Sequence, residues 1–131
     1  MNNTKPILFH HSDPLSDNPT SPDFVWQRFS GFTDQWFGWA EKISSKPGDT
    51  SSWHYHPTST TYVYVIKGSV TINFGPSGEE AFTAASGDFF IIPPNVIHRE
   101  STDSEVTLEA FVVRIGELPK EIEVEDPGST E

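Results

Sequence analysis

The chain has 131 residues, 34% of them hydrophobic and 13% aromatic, with 11 prolines and 9 glycines as punctuation, which suits one β-rich domain around one core. Eight Lys and Arg against 19 Asp and Glu give a formal charge of −11, so nucleic acid and anionic membrane surfaces are expected to be repelled, and no apolar run approaches the ~18 residues of a membrane span. Cysteine is absent, which excludes disulfides, thiolate nucleophiles and zinc–sulfur sites.

Residues 1–33 read as a polar, proline-rich N-terminal arm with one short strand at Ile7–His10. The opening MNNTKPILFHHSDPLSD lacks the charged start, long apolar centre and cleavage site of a secretory signal, so a cytoplasmic location is expected. Residues 34–117 carry the alternating pattern of a barrel. The first strand is WFGWAEKI, where Phe37, Trp39 and Ile43 share one parity, and Lys46-Pro47-Gly48-Asp49 turns it. Strands around Ser52–His56 and Thr61–Ile66 follow, then Gly68 and a strand Val70–Phe74. Gly75-Pro76-Ser77-Gly78 is a strong turn signal, across which Ala81–Ala84 pairs back. FFII is the next strand, broken by Pro93-Pro94-Asn95, and Glu105–Ile115 is the last long one. Residues 118–131 form an acidic tail. Many short strands with no helical period mean a sandwich or barrel.

The stretch WHYHPTSTTYVYVIKG opens the chemistry. Alternate strand residues share a face, about 6–7 Å apart at ~3.3 Å rise per residue. His54 and His56 can therefore aim at one point. A metal held by two imidazoles needs a third ligand from another strand. Of the five histidines, His10 and His11 lie in the arm and read as surface residues. His98 remains, after GDFFIIPPNVIH.

These residues resemble the cupins, small β-barrel proteins with two short motifs. The first is Gly, five residues, His-x-His, three or four residues, Glu, six residues, Gly. It matches Gly48, His54, His56 and Gly68, with Thr61 at the Glu position. The second is Gly, five residues, Pro-x-Gly, two residues, His, three residues, Asn. It matches Gly87, Pro93 and His98, with Asn95 for the glycine and Thr102 for the final Asn. Asn tolerates positive φ better than most residues. The resemblance implies an all-β, cupin-type double-stranded β-helix (jelly-roll) barrel in which His54, His56 and His98 bind one divalent metal per chain. Fe(II) is favoured, Ni, Zn or Cu also suit the ligands, and Mn suits them less well. It further implies a small-molecule substrate and a homodimer.

Thr61 is the departure. A hydroxyl is a poor ligand for a divalent metal, so Thr61 is either a catalytic residue that hydrogen-bonds metal-bound water or a strand residue with a buried methyl. Three neutral imidazoles leave the +2 of the metal uncompensated, which favours an anionic chelating substrate and lowers the pKa of bound water. The expected activity is that of an iron dioxygenase acting on a carboxylate, diketone or enol-type substrate. The alternatives are a metal-assisted lyase, isomerase or decarboxylase, which needs a nearby base, and a non-catalytic ligand-binding cupin. Glu109 is the candidate base. If it points inward, desolvation raises its pKa. The even positions Val106, Leu108, Ala110 and Val112 form one apolar face, which places Glu109 on the other. Tyr62 and Tyr64 have the parity opposite to Thr61 and face out. Arg28, Arg99 and Arg114 each have the charge to clamp a carboxylate, but no spacing singles one out, and Arg99 faces away from His98. Glu79 and Glu80 sit beside a turn.

Overall fold

The computed structural model describes residues 8, 16–17, 24–28, 38–103, 105–116 and 121–128. Eleven strands follow in chain order: β1 (Ser16–Asp17), β2 (Phe24–Arg28), β3 (Gly38–Ser45), β4 (Trp53–Tyr55), β5 (Ser59–Lys67), β6 (Ser69–Phe74), β7 (Glu80–Ala85), β8 (Phe89–Ile92), β9 (Arg99–Thr102), β10 (Leu108–Gly116) and β11 (Ile122–Val124). All named pairings are antiparallel. Six strands form one sheet in the order β1-β2-β3-β10-β5-β8, three form β7-β6-β9, and β11 pairs with β4. No helix among the described residues is long and apolar enough to cross a membrane. The expected jelly-roll is the observed class.

The alternation drives this assembly. On β5, Ser59, Thr61, Val63 and Val65 are buried while Tyr62, Tyr64 and Ile66 are exposed. On β10, Leu108, Ala110, Val112 and Arg114 are buried. The register places Val65 opposite Ala110, Val63 opposite Val112 and Thr61 opposite Arg114. Paired residues of an antiparallel ladder share a face, so both strands present one continuous inner surface. Ile43, Val63, Val65, Val70, Ile72, Leu108 and their neighbours close it into the core.

Two turn positions explain the punctuation. Gly68 has φ +81°, and a Cβ there would lie 2.7 Å from the carbonyl oxygen of Thr107, so this turn accepts no larger residue without a shift. Asn95 has φ 67°, the left-handed conformation that the second motif usually assigns to glycine.

Several expectations are refined. Of Ile7–His10 only Leu8 lies within the described residues, outside any strand. The arm region contributes β1 and β2 instead, with Phe24–Arg28 registered against Glu41–Ser45. Strand β9 lies between the strands expected at FFII and at Glu105–Ile115, where the sequence pattern assigned none. The tail returns to the barrel: β11 registers Glu123 against His54. His10, His11 and the side chains of Arg28, Phe37 and Trp39 lie outside the described residues.

Candidate metal centre

His54 and His98 form an isolated bridge joining β4 to the start of β9. Each backbone N–H donates to the other residue's carbonyl, at 3.0 and 2.9 Å. Such a pair projects both side chains from one face, and the ring centroids are 4.4 Å apart. His56 follows two residues after His54 with the same parity. Its carbonyl accepts from the Asn95 amide at 2.9 Å, so the positive-φ turn also fixes the third histidine. The three histidines are buried, and their ligand atoms all lie within 4.8 Å of one another.

The ring tautomers follow from their partners. His54 Nδ1 donates to the Ser52 carbonyl at 2.8 Å and His98 Nδ1 to the Val96 carbonyl at 2.9 Å. A carbonyl only accepts, so the proton sits on Nδ1 and the lone pair of the neutral ring on Nε2. This second set of contacts orients imidazoles for metal binding. His98 Nε2 is buried and makes no hydrogen bond among the described residues. Burial, Arg114 and the other two rings push His56 down to about 3, so it stays neutral and ligand-competent. These residues fit a divalent metal.

Three carboxylate residues that sequence reasoning missed, Glu41, Glu100 and Glu121, surround the cluster together with Arg114, one of the three arginines it named. Glu100, two residues past His98, places Oε1 3.5 Å from His98 Nε2 and 3.6 Å from His54 Nε2. Burial acts to raise its pKa, but the two imidazoles hold it well below the ordinary carboxylate value. Burial acts to lower His54, yet the Glu100 carboxylate raises it above the ordinary imidazole value. Glu121, just before β11, lies 3.9 Å from His56 Nε2, and burial raises its carboxyl. Arg114 Nε donates to Thr61 Oγ1 at 3.2 Å, and its NH1 pairs with Glu41 Oε1 at 3.2 Å. His54, Thr61, Glu100, Arg114, Glu41 and Glu121 line one cavity with the apolar core.

Period two was the available signal for three of these. Glu100 shares the parity of His98, Arg114 that of Leu108, Ala110 and Val112, and Glu41 that of Ile43. Glu121 had none, because its approach depends on β11 pairing with β4.

The other expected residues separate cleanly. Thr61 is buried in the cavity, its hydroxyl engaged by Arg114. Glu109 is not brought to the cluster. It is half-buried on the outer face of β10, opposite Lys67 and Ser44, and does not line the cavity. The reason is strand parity, since Leu108 and Ala110 on either side point in. Tyr62 and Tyr64 are exposed, and Arg99 stacks over Trp53 at 4.6 Å instead of reaching the histidines. Thr102, in place of the motif Asn, accepts from the Asp49 amide at 2.8 Å and donates to the Lys46 carbonyl at 2.8 Å.

Antiparallel sheets closed around three converging histidines define a small β-barrel with a metal-type site. The chain belongs to the cupin family, whose cupin domain model matches residues 42–114. Germin-like protein subfamily T member 3 of Arabidopsis thaliana is 31% identical over 84 residues, covering 63% of this chain and 37% of that protein. Protein YjlB of Bacillus subtilis (strain 168) is 27% identical over 109 residues, covering 77% of this chain and 64% of that one. The chain thus spans less than two thirds of these curated relatives. Among solved structures, the polyketide cyclase RemF of Streptomyces resistomycificus superposes with TM-score 0.74 at 20% identity, over 95% of this chain and 91% of that one. An oxalate oxidase in complex with glycolate gives TM-score 0.63 at 19% identity, over 82% and 57% of the two chains. At these identities the structural likeness shows the fold.

Proposed function

We propose that this chain is a metal-dependent enzyme acting on a small substrate that chelates through a carboxylate or an enol-type oxygen pair. The observation that carries the reading is the convergence of three buried histidines, two of them with Nδ1 tied to backbone carbonyls and Nε2 free to bind a cation. A bound divalent metal supplies Lewis acidity there, and iron would add redox chemistry with dioxygen. The chain's own residues do the rest. His54, His56 and His98 hold the ion, and Arg114 places a guanidinium in the same cavity to attract an anionic group. The apolar inner faces of β5 and β10 exclude water. The favoured activity is that of a dioxygenase using Fe(II), in which both oxygen atoms enter the substrate and no external reductant is consumed. Fold neighbours solved with glycolate or formate, an oxalate oxidase and an oxalate decarboxylase, support small carboxylates as the first substrates to try.

Glu121 favours a second reading, a lyase, isomerase or decarboxylase. Burial keeps its carboxyl inclined to hold a proton, and it sits 3.9 Å from His56 Nε2. That position supports Glu121 as the acid or base that Glu109 does not supply.

The test is turnover of the metal-loaded chain on small hydroxy acids, diketones and oxalate, in air and under nitrogen. Oxygen uptake matched to product supports the dioxygenase. Conversion under nitrogen with Zn or Ni, lost in Glu121→Gln, supports the second reading. Thermal stabilisation by a ligand without product would reduce the chain to a binding cupin.

A homodimer belongs to the same proposal, formed by two copies in a cytoplasmic protein. Ile91, Tyr62 and Val113 lie side by side across β8, β5 and β10, as do Phe89, Tyr64 and Phe111. Phe89 is 70% exposed. An apolar sheet face of this kind marks an association surface. Phe89→Asp is expected to convert a dimer to a monomer in light scattering.

A further inference from the structure

We infer that Glu100 is itself a metal ligand, replacing from strand β9 the carboxylate that Thr61 lacks. The inference rests on the three-histidine reading above. Glu100 follows His98 at the spacing that repeats a strand face, so the two side chains point the same way and meet. Its Oε1 lies 3.5 Å from His98 Nε2 and 3.6 Å from His54 Nε2. Ligand atoms that share one divalent ion at ~2.0–2.2 Å stand roughly 3.0–3.5 Å apart, so the carboxylate oxygen already sits at nearly that separation from two of the three imidazoles.

The Glu100 carboxylate pairs with those two rings, while His56 and Glu121 lie near enough to feel its charge. Once both Nε2 lone pairs bind a cation, neither nitrogen has a proton to donate. A largely buried carboxylate would then be left without a partner, which is costly, unless it binds the same cation. The position that the family motif assigns to a carboxylate is already committed elsewhere. Thr61 Oγ1 accepts from Arg114 Nε, and Arg114 pairs with Glu41. A guanidinium at that corner repels a metal, whereas Glu100 attracts it from the other side. The site therefore carries one compensating negative charge and is not a purely neutral set.

The test uses the full chain, stripped and reloaded with Co(II), whose visible spectrum reports its ligands. Affinity is measured by competition with a chelator for the native chain, Glu100→Gln, Glu100→Asp, Glu121→Gln and His98→Ala. Loss of an outer partner of a metal ligand costs about 10–100-fold in affinity. Glu100→Gln is expected to lose more than that and to shift the visible bands. Glu100→Asp should recover part of the loss, and Glu121→Gln should keep the native spectrum. Circular dichroism of the metal-free variants checks that they fold. Native spectrum and affinity within ten-fold in Glu100→Gln would overturn the role of Glu100 while leaving the three-histidine site intact. Failure of the native chain to bind Co(II), Ni(II) or Zn(II) at all would overturn both.

Discussion

At one end of the barrel interior, Ile43, Val65, Leu108 and Ala110 meet with almost no exposure. At the other, Thr61, Arg114, Glu41 and the three histidines are as deeply buried, with the partly exposed Glu100 beside them. The same strands build both. On β10, Leu108, Ala110, Val112 and Arg114 succeed one another on a single face. The apolar end asks only for shape and hydrophobicity, since each buried aliphatic side chain contributes about 1.5–3 kcal/mol. The polar end asks that every group find a partner. Arg114 has Glu41 and Thr61, two histidines have backbone carbonyls, and what is left over points at one spot. One end is where stability is generated and the other is where the histidine cluster is held.

The contrast breaks most sharply at Arg114. Arg114→Met removes the cation beside buried Glu41, and breaking such a pair costs about 3–5 kcal/mol. Urea unfolding is expected to show this loss, and the double variant with Glu41→Gln should recover part of it. Loss of the same size in the double variant would mean that packing, not charge, dominates. Leu108→Ala should cost about 2–5 kcal/mol through its cavity, with Co(II) affinity unchanged. A change in metal affinity there would show that the two ends are coupled.

Acid sharpens the comparison further. In metal-free protein His56 stays neutral down to about 3, against 6.5 for an unperturbed imidazole. Between those values the unfolded chain binds a proton that the fold refuses, so stability falls as pH drops from 6.5 toward 3. Glu100, held below its ordinary 4.5, adds a loss in the same direction at lower pH. His54, raised above 6.5, has the opposite sign. Its contribution is complete below 6.5 and fades as pH rises through its folded value. Melting temperature against pH should therefore fall on the acid side, and His56→Gln should flatten that limb above pH 4.5. The smallest effect is expected at Glu109→Gln, on the outer face. Stability should change by no more than about 0.5 kcal/mol, with metal content unchanged.

Much of this was legible in one dimension. The spacing of Gly48, His54, His56, Gly68, Gly87, Pro93 and His98 is local chemistry repeated at fixed intervals, and the family match rests on the same segment. Parity alone put Tyr62 and Tyr64 outside. It also held the information for Arg114, Glu41 and Glu100, because a charged residue on an otherwise apolar face must be paired or functional. Strand β9 was harder. Arg99–Thr102 is short and polar, and it becomes a strand only because β6 offers it a ladder from Asn73 to Val70.

The sequence by itself determined the all-β class, the turns and the histidine trio, since these follow from period two, glycine-like φ and motif spacing. Only the tertiary structure decided which carboxylates reach the trio. Glu100 approaches through the bridge between His54 and His98, and Glu121 through the pairing of β11 with β4. Glu109 is excluded by the face on which β10 presents it. The physical reason is that a ligand's identity is written in its residue type, but its partners are set by which strands hydrogen-bond, a choice made by long-range pairing that no local pattern encodes.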